Sequence, residues 1–230
     1  MNYIIIPARY DSDRFPGKPL AMINDLPMAV MTYRACQKAG GFDDVILLTN
    51  SKAIYDECND YGIGCELHEV EAENGTERIG LYAATCMDDE DLIVNVQCDE
   101  PLMTADIPQR LLFNLKNKPG LVWTAARYMR GTTDMTSQDV VKCEIKGEFI
   151  HPQDFSRTYM PGYDWVHVGV YAYSVGRLKE YVERGSTVSE RTYRMEQLRW
   201  QETLAAITVS YNGVSVDRPE HIAMVEERIK

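Results

Sequence analysis

The sequence predicts an α/β protein built on a mostly parallel, doubly wound sheet, with an antiparallel excursion late in the chain. Two observations carry this. Short apolar, β-branched runs alternate at close spacing with segments of helical period from Tyr3 to Tyr128, which is the pattern of strand–helix–strand units. From Val140 the pattern changes to polar–apolar alternation in Val140 to Ile150 and again in Trp165 to Tyr173, as expected of antiparallel pairing. With 230 residues and neither an internal repeat nor a linker-like stretch, the chain fits one domain, residues 1–230, in which 140–175 is an excursion suited to a dimer interface.

Each element follows from local chemistry. Tyr3 to Ile6 is a buried strand ending at Pro7, and a long loop follows it. Pro27 to Ala39 has apolar residues at helical spacing and stops at Gly40-Gly41, a helix-ending signal. Val45 to Asn50 is a second strand, and Ser51 can cap a helix running to Tyr61 before Gly62. Cys65 to Val70 is a third strand, and Thr76 is placed to cap a helix reaching Met87. Asp91 to Gln97 is the strongest strand signal, followed by a helix from Thr104 to Asn117 and a strand from Gly120 to Tyr128. The alternating segment from Val140 to Ile150 turns at Lys146-Gly147 like a hairpin. After the strand to Tyr173 come helices at Val175 to Arg184 and Val188 to Thr203 and a strand at Ala206 to Tyr211. Asn212-Gly213 makes a turn, and a last helix spans Pro219 to Ile229 with Pro in its first turn.

Composition excludes several classes. A net charge of -11 and a sequence pI near 4.9 argue against general nucleic-acid binding, which needs a basic face. The longest apolar runs are too short to span a bilayer. The N-terminus enters a strand almost at once, so no secretion signal is expected. Six cysteines form no C-x-x-C pair, as suits reduced thiols in a cytoplasmic protein. No G-x-S-x-G, P-loop or G-x-G-x-x-G sequence occurs, which removes the usual anchors of acyl-transfer, kinase-type and dinucleotide chemistry.

The residues with chemical potential gather at strand ends. Arg9, Arg14 and Lys18 lie on the Pro- and Gly-punctuated loop after the first strand, where open α/β sheets bind ligands. Three cations there point to a phosphate or carboxylate site, against the alternative of solvated surface charge. Asn74 to Arg78 follow the third strand, and Gln97, Asp99 and Glu100 follow the fourth. Asp99, with Asp217 late in the chain, could hold a hard divalent cation through oxygen ligands. Either Asp could equally be a turn or cap residue, and Asp217 could cap the last helix. His167, in register with Tyr171 and Tyr173, faces outward from its strand and is placed to touch a polar substrate rather than to act as acid or base.

Six segments then carry a resemblance: PARYDSDRFPGKPL (Pro7 to Leu20), NGTER (Asn74 to Arg78), VNVQCDEP (Val94 to Pro101), HVGVYAY (His167 to Tyr173), EQLRW (Glu196 to Trp200) and VSVDRPEH (Val214 to His221). In this order they closely resemble the 3-deoxy-manno-octulosonate cytidylyltransferases, over essentially the whole chain. The resemblance implies a Rossmann-like fold of the nucleotide-diphospho-sugar transferase type. It implies transfer of CMP from CTP, with Mg²⁺, to the anomeric hydroxyl of a 3-deoxy-ulosonic acid, by default Kdo, in a cytoplasmic homodimer serving lipopolysaccharide synthesis. Arg9, Arg14, Lys18 and Asp99 would then be catalytic, the three cations holding the CTP phosphates, and Asp99 and Asp217 would bind the metal. Ala8, Arg9, Lys18, Thr49, Asn74 and Gly75 would contact the nucleotide. Arg78, Gln97, Arg157, His167, Tyr171, Glu196 and Gln197 would line the sugar-acid pocket, with Arg78 on its carboxylate.

The chain departs from the family pattern at several points. Cys98 stands where QGDEP has Gly, and a side chain there could crowd the nucleotide or metal. Thr49-Asn50 replaces Thr-Asp, NGTER replaces SGTER, and FSRTYMP (Phe155 to Pro161) matches SRAPIP only in part. Two other functions stay open on these grounds: a cytidylyltransferase for another acidic sugar, and a non-catalytic nucleotide- or sugar-binding paralogue.

Overall fold

A computed structural model describes residues 1–12, 14–200 and 204–230. Its strands are β1 (Asn2–Ala8), β2 (Met22–Ile23), β3 (Leu26–Pro27), β4 (Asp44–Thr49), β5 (Cys65–Leu67), β6 (Leu92–Val96), β7 (Trp123–Tyr128), β8 (Lys142–Cys143), β9 (Phe149–Ile150), β10 (Phe155–Ser156), β11 (Trp165–Ser174) and β12 (Leu204–Val209). Its helices are α1 (Met28–Cys36), α2 (Lys52–Asp60), α3 (Gly75–Cys86), α4 (Asp106–Asn117), α5 (Gly131–Thr136), α6 (Val175–Arg184), α7 (Val188–Tyr193) and α8 (His221–Ile229). No helix among the described residues is long and apolar enough to cross a membrane.

The main sheet runs β5-β4-β1-β6-β11-β7-β12-β9. The β1–β4, β1–β6, β4–β5 and β7–β12 pairs are parallel, and β11 and β9 run antiparallel to their neighbours. Alternation along β1 divides the core. Ile4 and Ile6 face a cluster that includes Met28, Ile54 and Leu111, whereas Ile5 faces one with Ile79, Leu178 and Tyr181. α1, α2 and α4 therefore cover one face, and α3 and α6 the other, as double winding requires. Ile4, Ile5 and Ile6 are fully buried, each stabilising the fold by about 1.5–3 kcal/mol through removal of apolar surface from water.

The late part of the chain differs from expectation. β11 pairs antiparallel, as expected, but it lies inside the main sheet as a full strand between β6 and β7, with Val170 opposite Val96 and Val168 opposite Ala125. Its face with Tyr171 and Tyr173 is buried against α6 and Trp200 rather than turned outward. The segment around Lys146-Gly147 does make a tight turn, with Gly147 at φ 69° and Lys146 bonded to Phe149. Its two arms then part, because β8 pairs with β10 and β11 while β9 pairs with β12.

Several helix ends also shift. Asn74, not Thr76, caps α3, its side chain accepting the Glu77 N–H at 2.8 Å. Ser51 occupies the cap position of α2 without a side-chain cap bond. α7 is capped by Thr187 in a reciprocal arrangement with Glu190 and ends at Tyr193, where Arg194 takes a left-handed φ of 52°. A separate turn at Glu196–Arg199 follows, and residues 201–203 of the expected helix lie outside the described residues. α8 starts at His221, so Pro219 precedes it, and Asp217 is not its cap.

Candidate active site

The strand order reverses between β1 and β6: β1 leads on to β4 on one side and β6 toward β7 on the other. Loops leaving the two strands part there and open a crevice. A cleft of about 1120 Å³ occupies it, lined by the loop after β1, the start of α3, the end of β6, the first half of β11 and residues 211–228. Ten Arg and Lys side chains line it against eight carboxylates, in a protein of net charge -11. The local field therefore favours anions.

At its floor Lys18 joins two acids. Gly17, at φ 70°, turns the chain and bonds back to Tyr10 O at 2.8 Å, which sets Lys18 facing inward. Lys18 Nζ lies 2.6 Å from Asp99 Oδ2 and 3.7 Å from Asp217 Oδ1. Burial alone would lower the Lys18 pKa, but the charges of Asp99 and Asp217 outweigh it and the net shift is upward. Burial and the nearby Asp99 raise that of Asp217. Arg14 pairs with Asp217 at 2.7 Å and also with Asp139. Arg9 lines the mouth, exposed, with no ion-pair partner among the described residues.

The opposite wall is more deeply buried. Arg78 is 3% exposed and donates to Val70 O at 3.2 Å, and burial lowers its pKa. Gln97 Nε2 donates to Glu196 Oε1 at 3.1 Å, and the Thr76 N–H donates to Glu196 Oε2 at 3.3 Å. Burial pushes the Glu196 carboxyl up to about 7. Tyr171 OH donates to Gln197 Oε1 at 3.4 Å. Thr124 Oγ1 donates to Val170 O at 2.7 Å and lies 2.8 Å from His167 Nε2. Its single hydrogen is thus committed, so His167 Nε2 carries the proton and donates to it. Burial lowers the His167 pKa to about 4, leaving a neutral ring.

Of the residues singled out from the sequence, the cleft gathers Ala8, Arg9, Arg14, Lys18, Asn74, Gly75, Arg78, Gln97, Asp99, Arg157, His167, Tyr171, Glu196, Gln197 and Asp217. Gly75 is required there, because a Cβ would stand 2.9 Å from Pro7 Cγ. Thr49 is the exception. It is fully buried, its hydroxyl accepts the Ser51 N–H at 3.1 Å, and it does not line the cleft. Arg157 lines the cleft, but its guanidinium is engaged by the carbonyls of Gln138, Asp139, Tyr193 and Arg194. It braces the wall rather than offering a free fork to a carboxylate. Cys98 does not crowd the site either: its side chain is 5% exposed and packs in the core with Cys36 and Cys58.

Tyr211, Asp139 and Arg199 escaped sequence reasoning, and Glu100 was singled out only for its place after the fourth strand. Glu100 is buried, accepts from Tyr211 OH at 2.7 Å, and is pushed up to about 8 by burial and by Asp99. Asp139 receives Arg14 and Arg218. Arg199, 1% exposed at its side chain, bonds Glu190 and Glu73 and stacks on Tyr181 behind Asn74. Only Glu100 and Arg199 fall within motifs visible in the sequence.

A family model described as cytidylyltransferase matches residues 3–209. The chain belongs to the cytidylyltransferase family. Within it, the 3-deoxy-manno-octulosonate cytidylyltransferase of Chlamydia pneumoniae is 30% identical over 237 residues, covering 98% of this chain and 92% of that protein. The enzyme of the same name from Acinetobacter baumannii is 32% identical over 229 residues, covering 93% and 87%. A solved CMP:2-keto-3-deoxy-manno-octonic acid synthetase complexed with CTP superposes with a TM-score of 0.88 at 26% identity, covering 99% of this chain and 98% of that one. A 4-diphosphocytidyl-2C-methyl-D-erythritol synthase, at 11% identity and a TM-score of 0.67, shares the fold alone. For this cytidylyltransferase the Asn50 departure falls outside the cleft lining, Cys98 borders the cleft with its side chain packed into the core, and Lys18, Asp99 and Asp217 meet at the cleft floor.

Proposed function

We propose that this cytidylyltransferase activates 3-deoxy-manno-octulosonate with CTP, forming the CMP-sugar and releasing pyrophosphate. The observation that carries the reading is the meeting of Lys18, Asp99 and Asp217 at the sheet's switch point, inside a cation-rich cleft. The full-length similarity to enzymes of that name supports the choice of sugar.

Asp99 and Asp217 fit a magnesium site. Both present hard oxygen donors to the same Lys18 ammonium, and burial together with the Asp99 charge raises the Asp217 pKa. Two carboxylates with substrate phosphates and water are the usual surroundings of that ion. When bound there, Mg²⁺ would neutralise charge on the phosphates. Arg9, Arg14 and Lys18 reach the same space and would hold the phosphates for in-line attack, the chief catalytic need in nucleotidyl transfer. The sugar hydroxyl loses its proton to solvent as its oxygen bonds to the α-phosphorus and the bond from that phosphorus to pyrophosphate breaks. Arg78 would meet the sugar carboxylate, and Gln97, His167, Tyr171, Glu196 and Gln197 would position its hydroxyls. His167, neutral and donating to Thr124, is a positioning group rather than a base.

The setting proposed is a cytoplasmic homodimer, joined through residues 140–175, where Met160 is exposed; a monomeric mass in sedimentation overturns the dimer. The catalytic reading is tested by pyrophosphate release with CTP and Mg²⁺ against Kdo, an amino-Kdo and a sialic acid. Release with Kdo supports it, and release with another member alone reassigns the sugar. Silence with CTP still bound in calorimetry leaves a binding protein, and silence without CTP binding removes both.

A further inference from the structure

We infer that Tyr211 is a positioning residue that sets the spacing of Asp99 and Asp217 by clasping the segment after β12 onto the end of β6. The inference rests on the metal site proposed above. The two carboxylates lie 118 positions apart in sequence, and nothing in β6 itself holds Asp217 in place. Two tethers do. Val216 N–H donates to Asp99 O at 2.9 Å, fixing the backbone next to one acid against the backbone of the other. Tyr211 OH donates to Glu100 Oε2 at 2.7 Å, in a bond buried at both ends.

The second tether is built into the chain with little freedom. Glu100 is itself fixed by its backbone N–H on Gln97 O at 3.1 Å and by Met103 N–H on its own carbonyl at 3.0 Å. Gly169, in the β11 bulge, packs on Glu100 from the other side, a Cβ there standing 3.5 Å from Glu100 Oε1. The Tyr211 ring is held by Gly213, where a Cβ would fall 2.0 Å from the ring's hydroxyl end. Any larger residue at 213 must push the ring away. A segment of irregular backbone, residues 210–217, is thereby given one position relative to β6. Small errors in such spacing are costly, because ligands must be held to within a fraction of an ångström by groups that are themselves locked.

The test uses Tyr211→Phe, which keeps the ring and removes the hydroxyl, and Gly213→Ala, which keeps the hydroxyl and displaces the ring. Mn²⁺ binding in the presence of CTP, read by electron paramagnetic resonance, is compared with the Mg²⁺ dependence of pyrophosphate release. Both variants should bind Mn²⁺ about 10-fold more weakly, within the 10–100-fold cost usual for outer-shell partners. The Mg²⁺ concentration for half-maximal rate should rise in step, while KM for the sugar stays at the parent value. Metal binding unchanged in Tyr211→Phe overturns the inference, as does an equal loss in every parameter with a collapsed melting curve. A parent protein that binds no Mn²⁺ with CTP overturns the metal reading itself, and this inference with it.

Discussion

Replacing Lys18 by Met is expected to move catalysis and metal binding in opposite directions. Lys18 Nζ stands 2.6 Å from Asp99 Oδ2 and 3.7 Å from Asp217 Oδ1, with the side chain 15% exposed. In the free protein the ammonium therefore fills the negative potential that a divalent cation would use. A unit charge at about 4 Å is worth about 1 kcal/mol in bulk water and about 4 kcal/mol near a protein surface. Because the cleft is open to solvent, the lower half of that range applies, about 1–2.5 kcal/mol, or roughly 5- to 70-fold in affinity. Lys18→Met should thus bind Mn²⁺ more tightly when CTP is absent. During turnover the same ammonium faces phosphate charge, and losing one preorganised donor of this kind lowers kcat by about 10²–10³-fold. Paramagnetic resonance without nucleotide and pyrophosphate release with it supply the two readings. Metal affinity that falls together with kcat refutes the argument, since Lys18 would then be organising the carboxylates rather than competing for them. A kcat within tenfold of the parent refutes the phosphate role.

Two further outcomes follow from the buried groups. Cys98→Gly restores the family residue but empties a core position, so it should lower stability by about 1–3 kcal/mol while KM for CTP stays within twofold; a clear rise in activity would show that Cys98 does obstruct the site. Glu196, raised by burial from 4.5 to about 7, keeps a proton in the folded state that the unfolded chain releases. Its contribution is therefore most favourable below pH 4.5 and declines as pH rises through 7, by about 3 kcal/mol in all. Glu196→Gln should remove that decline, seen as a flatter stability–pH curve in urea between pH 5 and 8; parallel curves for variant and parent would contradict it.

How much of this was legible depends on what kind of signal each part leaves. β1, β4 and β6 are continuous apolar runs buried on both faces, and burial of that kind writes itself into composition. Asp99 was visible because it follows such a strand closely, and Lys18 because it lies on the Pro- and Gly-punctuated loop that leaves one, where side chains reach the cleft. The place of β11 was not visible, since alternation shows that a strand has two unlike faces but not which neighbours it joins. Here it runs antiparallel between two parallel strands, and its Tyr171 and Tyr173 face is as buried as its Val168 and Val170 face. Thr49 was misassigned for a related reason. It ends a strand at the correct edge, but β4 lies three places from β11, away from the cleft. Tyr211 and Asp139 left no mark, because their partners, Glu100 and Arg14, lie more than a hundred residues away.

The charge pattern at the cleft floor has a consequence of its own. In the free protein Lys18 and Arg14 are the counter-ions of Asp99 and Asp217, so the groups suited to phosphate neutralise the groups suited to metal. This lets the site stay partly desolvated without an unpaired buried charge. It also means that neither ligand binds cheaply alone. A metal ion arriving by itself must strip the two acids of their cations, and a triphosphate arriving by itself must strip the two cations of their acids. Arriving together they exchange partners, and every charge remains matched. Nucleotide and metal should therefore strengthen each other's binding, and linkage requires the factor to be the same in both directions. Lys18→Met removes one of the exchanged pairs, so calorimetry should find that reciprocal factor reduced in the variant. An undiminished factor would mean that the coupling arises from direct contact between metal and phosphate, with the protein's own ion pairs playing no part.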